Sequence, residues 1–256
     1  MRLNRLNLME QYIIRHETAS LEELTEHFHI SINTVRRDLN ELLARGSIRK
    51  VYGGVSAAAN NTPVLFSPHS EPDKQAKAMI GEMAASLVSD GASIFLDSGS
   101  TTPAILPYLE KKSGITVVTH SLCALYEASK YPNLKIISLG GIYIPETCSY
   151  VGVSTLETLS HISVQTIFLS ASGVSLNHGL TNSTYLEAEI KRHVIQRGKR
   201  VVLMADYSKF DTSSVVTFYD FENLNTVVTD KKPRTEYLDV MSQNHIQFLC
   251  PETYYA

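Results

Sequence analysis

The chain has 256 residues, 43% of them hydrophobic and 19% charged, with a formal net charge of −3; this is the profile of a soluble globular protein with one or two domains and an ample core. No apolar run approaches the roughly 18–20 residues that span a bilayer, and the charge-studded N-terminus "MRLNRLNLMEQYIIRHE" does not read as a signal peptide, so no membrane attachment is expected. The three cysteines, Cys123, Cys148 and Cys250, are odd in number and far apart in sequence, which predicts reduced thiols in a cytoplasm and neither a disulfide framework nor a metal site.

Residues 3–15 carry Leu6, Met9 and Ile13 at i, i+3, i+7, the spacing of one helix face. Ser20 followed by Glu23 predicts a capping box for a second helix with the stripe Leu21, Leu24 and Phe28. His27 and His29 in that region lie two apart and face different ways, a poor metal pair, and no cofactor is expected. Ser31 caps a third predicted helix with the stripe Val35, Leu39, Leu42 and Leu43.

The opposite face of the third helix gathers Asn33, Arg36, Arg37 and Asn40, at i, i+3, i+4, i+7. Arg and Asn are the side chains that read guanine and adenine edges bidentately in a major groove. After Gly46, "SIRKVYGGV" alternates toward a short β-ribbon, with Gly53 and Gly54 as its turn or exit. Three short helices followed by a basic ribbon read as a winged helix-turn-helix. Its predicted DNA contacts are Ser31, Asn33, Thr34, Arg36, Arg37 and Asn40 on the third helix, with Arg49 and Lys50 on the wing holding phosphate. A charge run by itself is usually only a wet helix face. Here residues 31–55 hold Arg36, Arg37, Arg45, Arg49 and Lys50 against Asp38 and Glu41 in an acidic chain, so the basic patch is focused, as site-specific docking needs.

The domain boundaries read as 1–56 for the DNA-binding part, 57–76 for a linker rich in Ala, Asn, Ser and Pro, and 77–256 for an α/β domain. In the last, apolar strands are predicted at 92–97, 115–119, 134–139, 164–171, 200–205 and 224–229. Helical stretches separate most of them, at 121–130, 185–196 and 234–243 for example. Such alternation predicts a mainly parallel sheet with its site at the carboxyl ends of the strands.

The sharpest candidate site is "FLDSGSTTPAIL". A strand ends at Asp97, and Ser98, Gly99, Ser100, Thr101 and Thr102 lead to a helix with Thr102 as N-cap and Pro103 in its first turn. Free backbone N–H groups and hydroxyls there suit an anion, although a plain strand-to-helix turn favours the same residues. No Gly-Lys-Ser/Thr follows, so a nucleoside triphosphate is not indicated. Other strand ends add His120, Ser121, Gly140, Gly141, Ser172 and Gly173. Lys209 offers a compact cation and Glu187 an acceptor for sugar hydroxyls, each set against an ordinary surface role.

The run "INTVRRDLNELLARGSIRKVYGGV" resembles the N-terminal signature of the DeoR family of bacterial transcription regulators. The larger domain resembles that family's effector domain from about residue 77 to 230, through Lys77, "DSGSTT", "GG", "SASGV…GLTN", "EAEIK" and "DYSKF". The resemblance implies a sensor fold similar to ribose-5-phosphate isomerase, reused to bind a phosphorylated sugar. Two positions depart from the pattern: Ser100 stands where Thr is usual, and His120 replaces the Asn of Thr-Asn-Ser. The expectation is therefore a cytoplasmic homodimer or homotetramer that binds double-stranded operator DNA, represses a sugar or carbohydrate operon, and answers to a phosphorylated sugar. The competing expectation is a sugar-phosphate isomerase-like enzyme with a DNA-binding appendage.

Overall fold

The computed structural model describes residues 2–16, 18–44, 47–51, 54–57 and 71–255, and the chain divides into two units, Met1–Pro63 and Val64–Ala256. The first unit contains α1 (Arg2–His16), β1 (Thr18–Ser20), α2 (Leu21–Phe28), α3 (Ile32–Ala44), β2 (Ile48–Val51) and β3 (Gly54–Ala57). The three helices form where the apolar stripes place them, and Leu6, Met9, Ile13, Leu24, Val35, Leu39 and Leu42 bury against one another. The capping box is complete: Ser20 Oγ accepts from the Glu23 N–H at 3.1 Å, and Glu23 Oε2 accepts from the Ser20 N–H at 3.4 Å. Helix α2 stops at His29, whose left-handed backbone (φ 51°) turns the chain toward α3. Ser31 Oγ then accepts from the Thr34 N–H at 3.3 Å, relieving one of the unpaired donors at the start of α3.

The wing is the antiparallel pair β2–β3, and β1 adds to it in the order β1-β3-β2. Strand β1 is not predicted from the sequence, since three residues are too few to show a period. It forms because Ala19 and Val55 both bury in the helical core. Gly54 lies inside β3 and not in a turn. A Cβ there would sit 2.3 Å from the Ala19 carbonyl oxygen, so the close pairing of β1 and β3 requires glycine. Arg45, Gly46 and Gly53 lie outside the described residues.

The second unit runs α4 (Glu71–Ala85), β4 (Ser93–Leu96), β5 (Thr116–Thr119), α5 (Leu122–Ala128), β6 (Lys135–Ser138), β7 (Ile142–Ile144), β8 (Ser149–Val151), α6 (Val153–Ser160), β9 (Val164–Leu169), β10 (Gly173–Ser175), β11 (Gly179–Asn182), α7 (Tyr185–Ile195), β12 (Gly198–Met204), β13 (Val216–Tyr219), β14 (Thr226–Val228), α8 (Thr235–Gln243), β15 (Gln247–Leu249) and α9 (Pro251–Tyr254). The six predicted strands all join one parallel sheet, in the order β15-β14-β12-β9-β4-β5-β6. The inner strands read as continuous apolar runs because both faces are covered, whereas the edge strand β6 leaves all four of its residues exposed. Phe95, Val118 and Ile167 bury on one side, while Ile94, Leu96, Val117 and Phe168 bury on the other.

Four features depart from expectation. Helix α4 starts at Glu71, so residues 71–76 of the predicted linker are helical; residues 58–70 lie outside the described residues. The seventh strand, β15, is another three-residue element without a visible period. The segments taken as strand-end loops instead form antiparallel additions, β7–β8 and β10-β11-β13. The helix after "DSGSTT" is a 3₁₀ helix, Thr102–Leu109. Pro107 has no N–H to give the Pro103 carbonyl, which removes the α-type bond at that turn. No described helix is long and apolar enough to cross a membrane.

Candidate functional site

On the first unit, Ser31, Asn33, Arg36, Arg37 and Asn40 are exposed, and Lys50 is exposed on the wing. Ser31 and Thr34 bond to each other through their hydroxyls at 2.9 Å, so both serve the start of α3. The side chain of Arg49 lies outside the described residues. Asp38 counts against the basic patch in the sequence but not at the surface. It is fully buried, and its Oδ2 accepts from Arg5 Nε of α1 at 2.8 Å. The solvent face of α3 is therefore more positive than a count of "RRDLNE" implies.

On the second unit, the ends of β4, β9 and β12 border a cavity of about 540 Å³. Of the predicted effector residues, Ser98, Gly99, Ser100, Thr101, Ser172, Glu187 and Lys209 line it. Asp97, Thr102, His120, Ser121, Gly140, Gly141 and Gly173 do not. Thr102 is no cap: its hydroxyl donates to the Asp97 carbonyl at 2.7 Å and to the Gly99 carbonyl. Ser121 is fully buried and caps α5 through the Ala124 N–H at 3.2 Å. Gly140 and Gly141 turn the chain from β6 into β7, where the Gly140 carbonyl accepts from Thr155 at 2.6 Å. Gly173 packs against the backbone of Thr212, which a Cβ would meet at 2.6 Å.

In and behind the cavity wall lies a buried charge cluster that the sequence did not announce. Lys191, only 1% exposed, donates to Asp97 Oδ2 at 2.9 Å, the Ser170 carbonyl at 2.8 Å and Asn182 Oδ1 at 2.9 Å. All three ammonium protons are thereby used. Asp97 is fully buried and also accepts from the Ser170 N–H at 3.1 Å and from the Ser170 hydroxyl. Burial alone pushes the Asp97 carboxyl up, but Lys191, His120 and Ser170 together hold it well below the usual carboxylate range. Asp97 is thus an anchor for the strand end and not an acceptor for a ligand. His120 is likewise fully buried, with Nε2 3.6 Å from Asp97 Oδ1. Its Nδ1 lies 3.0 Å from the Tyr150 carbonyl, which only accepts, so Nδ1 carries a proton in this contact. The imidazole that replaces the family's amide faces the cluster and not the cavity.

The cradle itself is open. Among the described residues, the N–H groups of Ser98, Gly99, Ser100 and Thr101 donate to no protein acceptor. Gly99 is needed there because a Cβ would lie 1.9 Å from Ser170 Oγ. Glu187 fixes the cradle: its Oε1 accepts from Ser98 Oγ at 2.6 Å, and its Oε2 accepts from Asn182 Nδ2 and Thr184 Oγ1, both at 2.9 Å. A carboxylate has about four lone-pair sites, so three are taken and one is left. Lys77 Nζ donates to Ser100 Oγ at 3.0 Å from one side. Lys209, partly exposed, reaches the cavity from the turn Tyr207–Lys209. Sequence reasoning missed several further lining residues, among them Cys123, Glu146, Thr147, Cys148, Asn182 and Lys191. The motif "EAEIK" pointed at Lys191, but a helix lysine shows no burial in sequence.

Two family models match this chain, the "DeoR-like helix-turn-helix domain" over residues 5–61 and the "DeoR C terminal sensor domain" over residues 73–231. The HTH-type transcriptional regulator IolR of Bacillus subtilis (strain 168) is 38% identical over 246 residues, 96% of this chain and 98% of that protein. The glycerol-3-phosphate regulon repressor of Escherichia coli (strain K12) is 29% identical over 233 residues, covering 91% and 92%. Ribose 5-phosphate isomerase A from Neisseria gonorrhoeae aligns with a TM-score of 0.41 at 17% identity, covering 57% of this chain and 56% of the isomerase.

Proposed function

Because the chain belongs to the DeoR family of DNA-binding transcription regulators, we propose that its cavity binds a phosphorylated sugar and that this ligand governs repression of a sugar or carbohydrate operon. The observation that carries the reading is the run of four unpaired N–H groups, Ser98–Thr101, on the wall of a cavity that Lys209 also borders. Successive backbone donors in a turn form an anion nest, and a dianionic phosphate gains from a nearby ammonium. Glu187 keeps one acceptor site for a sugar hydroxyl. The name of the E. coli relative, a glycerol-3-phosphate regulon repressor, supports a phosphorylated ligand here.

Residues 1–56 do the DNA reading, with Asn33, Arg36, Arg37 and Asn40 at base edges and Lys50 and Arg49 at phosphate. The unit from α4 onward senses the ligand. An isomerase-like activity needs a carboxylate or amine at liberty to move protons. Asp97 and Lys191 are locked to each other, and three of the Glu187 acceptor sites are filled, which supports a sensor that does not turn its ligand over. The edge strand β6 exposes all four of its residues, Ile136 and Ile137 among them, and this supports assembly through the second unit into a homodimer or homotetramer. The setting is the cytoplasm.

The test is a thermal-shift screen over pentose, hexose and triose phosphates with their unphosphorylated counterparts. At 100 times its dissociation constant, a ligand that binds only the folded state stabilises it by about 2.7 kcal/mol. Stabilisation by a phosphorylated compound and not by the parent sugar is expected. No response to any phosphorylated sugar, or measurable turnover of one, contradicts the proposal.

A further inference from the structure

Cys123 and Cys148 are 25 residues apart in the chain, yet their sulfurs lie 2.8 Å apart. Cys123 is in the first turn of α5, and Cys148 follows the single 3₁₀ turn Pro145–Thr147 between β7 and β8. The two backbones are already tied beside the sulfurs. The Leu122 N–H donates to the Cys148 carbonyl at 2.9 Å, and Ser121 and Ser149 form an antiparallel bridge. Both thiols are half-buried and line the cavity, as do Glu146 and Thr147 on the same turn. The third cysteine, Cys250, is fully buried. Sequence distance suggested three unrelated thiols; the fold makes two of them a pair open to small molecules.

We propose that Cys123 and Cys148 are a reversible dithiol–disulfide pair in the cavity wall, through which a low-molecular-weight disulfide fastens the β7–β8 turn to α5. The exchange runs in two displacements. The Cys148 thiolate attacks one sulfur of the small disulfide, forming a mixed disulfide and expelling one small thiolate. The Cys123 thiolate then attacks the Cys148 sulfur and expels the second. Two protons leave the protein thiols for the two small thiolates, and two electrons pass from the cysteine pair to the oxidant. In the reduced pair, burial and the neighbouring Cys148 push the Cys123 thiol up to about 12, which leaves the first attack to Cys148 and makes closure faster at higher pH. Disulfides in reducing compartments are transient and regulatory, and this one alters the rim that a ligand passes. The bond itself does not depend on the sugar-phosphate reading; only its effect on ligand entry does.

The experiment incubates the full chain in buffers of stepped glutathione to glutathione-disulfide ratio, quenches, unfolds and alkylates with iodoacetamide. The chain has three cysteines, so the reduced protein takes three adducts. The expected oxidised protein takes one, on Cys250, shows a bridged Cys123–Cys148 peptide, and regains three adducts with dithiothreitol. Cys250→Ser still closes, whereas Cys148→Ser keeps Cys123 unbridged. Amide exchange across residues 142–151, measured without ligand, slows on oxidation. Three adducts at every ratio, or a bridge that uses Cys250 or joins two chains, overturns the proposal. Closure without slower exchange removes its structural consequence and overturns the fastening it asserts.

Discussion

Lys191→Met tests whether the buried cluster behind the cavity is structural. Lys191 is 1% exposed and Asp97 not at all, and the ammonium makes three bonds of 2.8–2.9 Å. Methionine fills similar volume but leaves a carboxylate, a carbonyl and an amide oxygen facing an apolar group. Removing one partner of a buried ion pair costs about 3–5 kcal/mol. In a unit of this size each kcal/mol lowers Tm by roughly 2–4 °C, so Tm falls by about 6–20 °C. The pH dependence adds a signature. In the wild type the Asp97 carboxyl titrates below its ordinary value, so its stabilisation is present above about pH 4 and is lost as pH falls further. In Lys191→Met burial prevails and raises that carboxyl, so the penalty is full at neutral pH and fades as pH falls through the raised value. The gap between the two proteins therefore narrows in acid. Urea unfolding followed by circular dichroism at pH 7 and pH 4.5 measures it, with Asp97→Asn and the double variant completing a cycle. A gap under about 1 kcal/mol at pH 7, or one that widens in acid, refutes the reasoning.

On DNA, Arg36→Ala or Arg37→Ala should lose roughly 1–3 kcal/mol on a selected site and relax its sequence preference; fluorescence anisotropy on matched and scrambled duplexes decides, and unchanged preference in both variants removes α3 as the reading helix. Lys50→Ala should weaken all duplexes alike and flatten the salt dependence by about one unit, so a sequence-selective loss counts against a phosphate contact. Ser20→Ala should destabilise the first unit by about 1 kcal/mol through the lost capping box, read as a lower urea midpoint. Analytical ultracentrifugation should show a dimer or tetramer, and β6 carrying Ile136→Lys and Ile137→Lys should dissociate it; a wild-type monomer, both free and on DNA, contradicts the assembly.

The sequence revealed most where one physical signal dominated. Three helices with apolar stripes, the Ser20–Glu23 box and six apolar strands formed at or near their expected places, because periodicity and burial agree there for all but the exposed edge strand β6. Strands β1 and β15 were hidden because three residues carry no period. The β7–β8 pair was hidden because "GGIYIPETCSY" mixes apolar and turn residues whose pairing is decided by distant neighbours. At the site, the "SGST" cradle was visible because small polar residues between an apolar strand and a proline mark a strand-to-helix turn, where backbone donors are free. The burial of Asp97, His120 and Lys191 was not, since each is an ordinary charged or polar residue until the sheet closes over it. Half the expected effector residues do not line the cavity: Asp97, Thr102, His120 and Ser121 are buried at the strand ends, while Gly140, Gly141 and Gly173 serve a turn and a close backbone approach.

The central claim is that a phosphorylated sugar in the Ser98–Thr101 cradle alters DNA binding, which requires different ligand affinities in two arrangements of the protein. The most direct measurement titrates sugar phosphates against a preformed complex of the protein with a duplex selected from a random pool, following release by anisotropy. Release by a phosphorylated sugar is predicted, with Lys209→Ala still binding DNA but needing about ten- to a hundredfold more ligand, the loss of one charge-assisted contact. A wild-type complex that no phosphorylated sugar perturbs contradicts the account, and a Lys209→Ala complex released at wild-type concentrations removes Lys209 as the phosphate's partner.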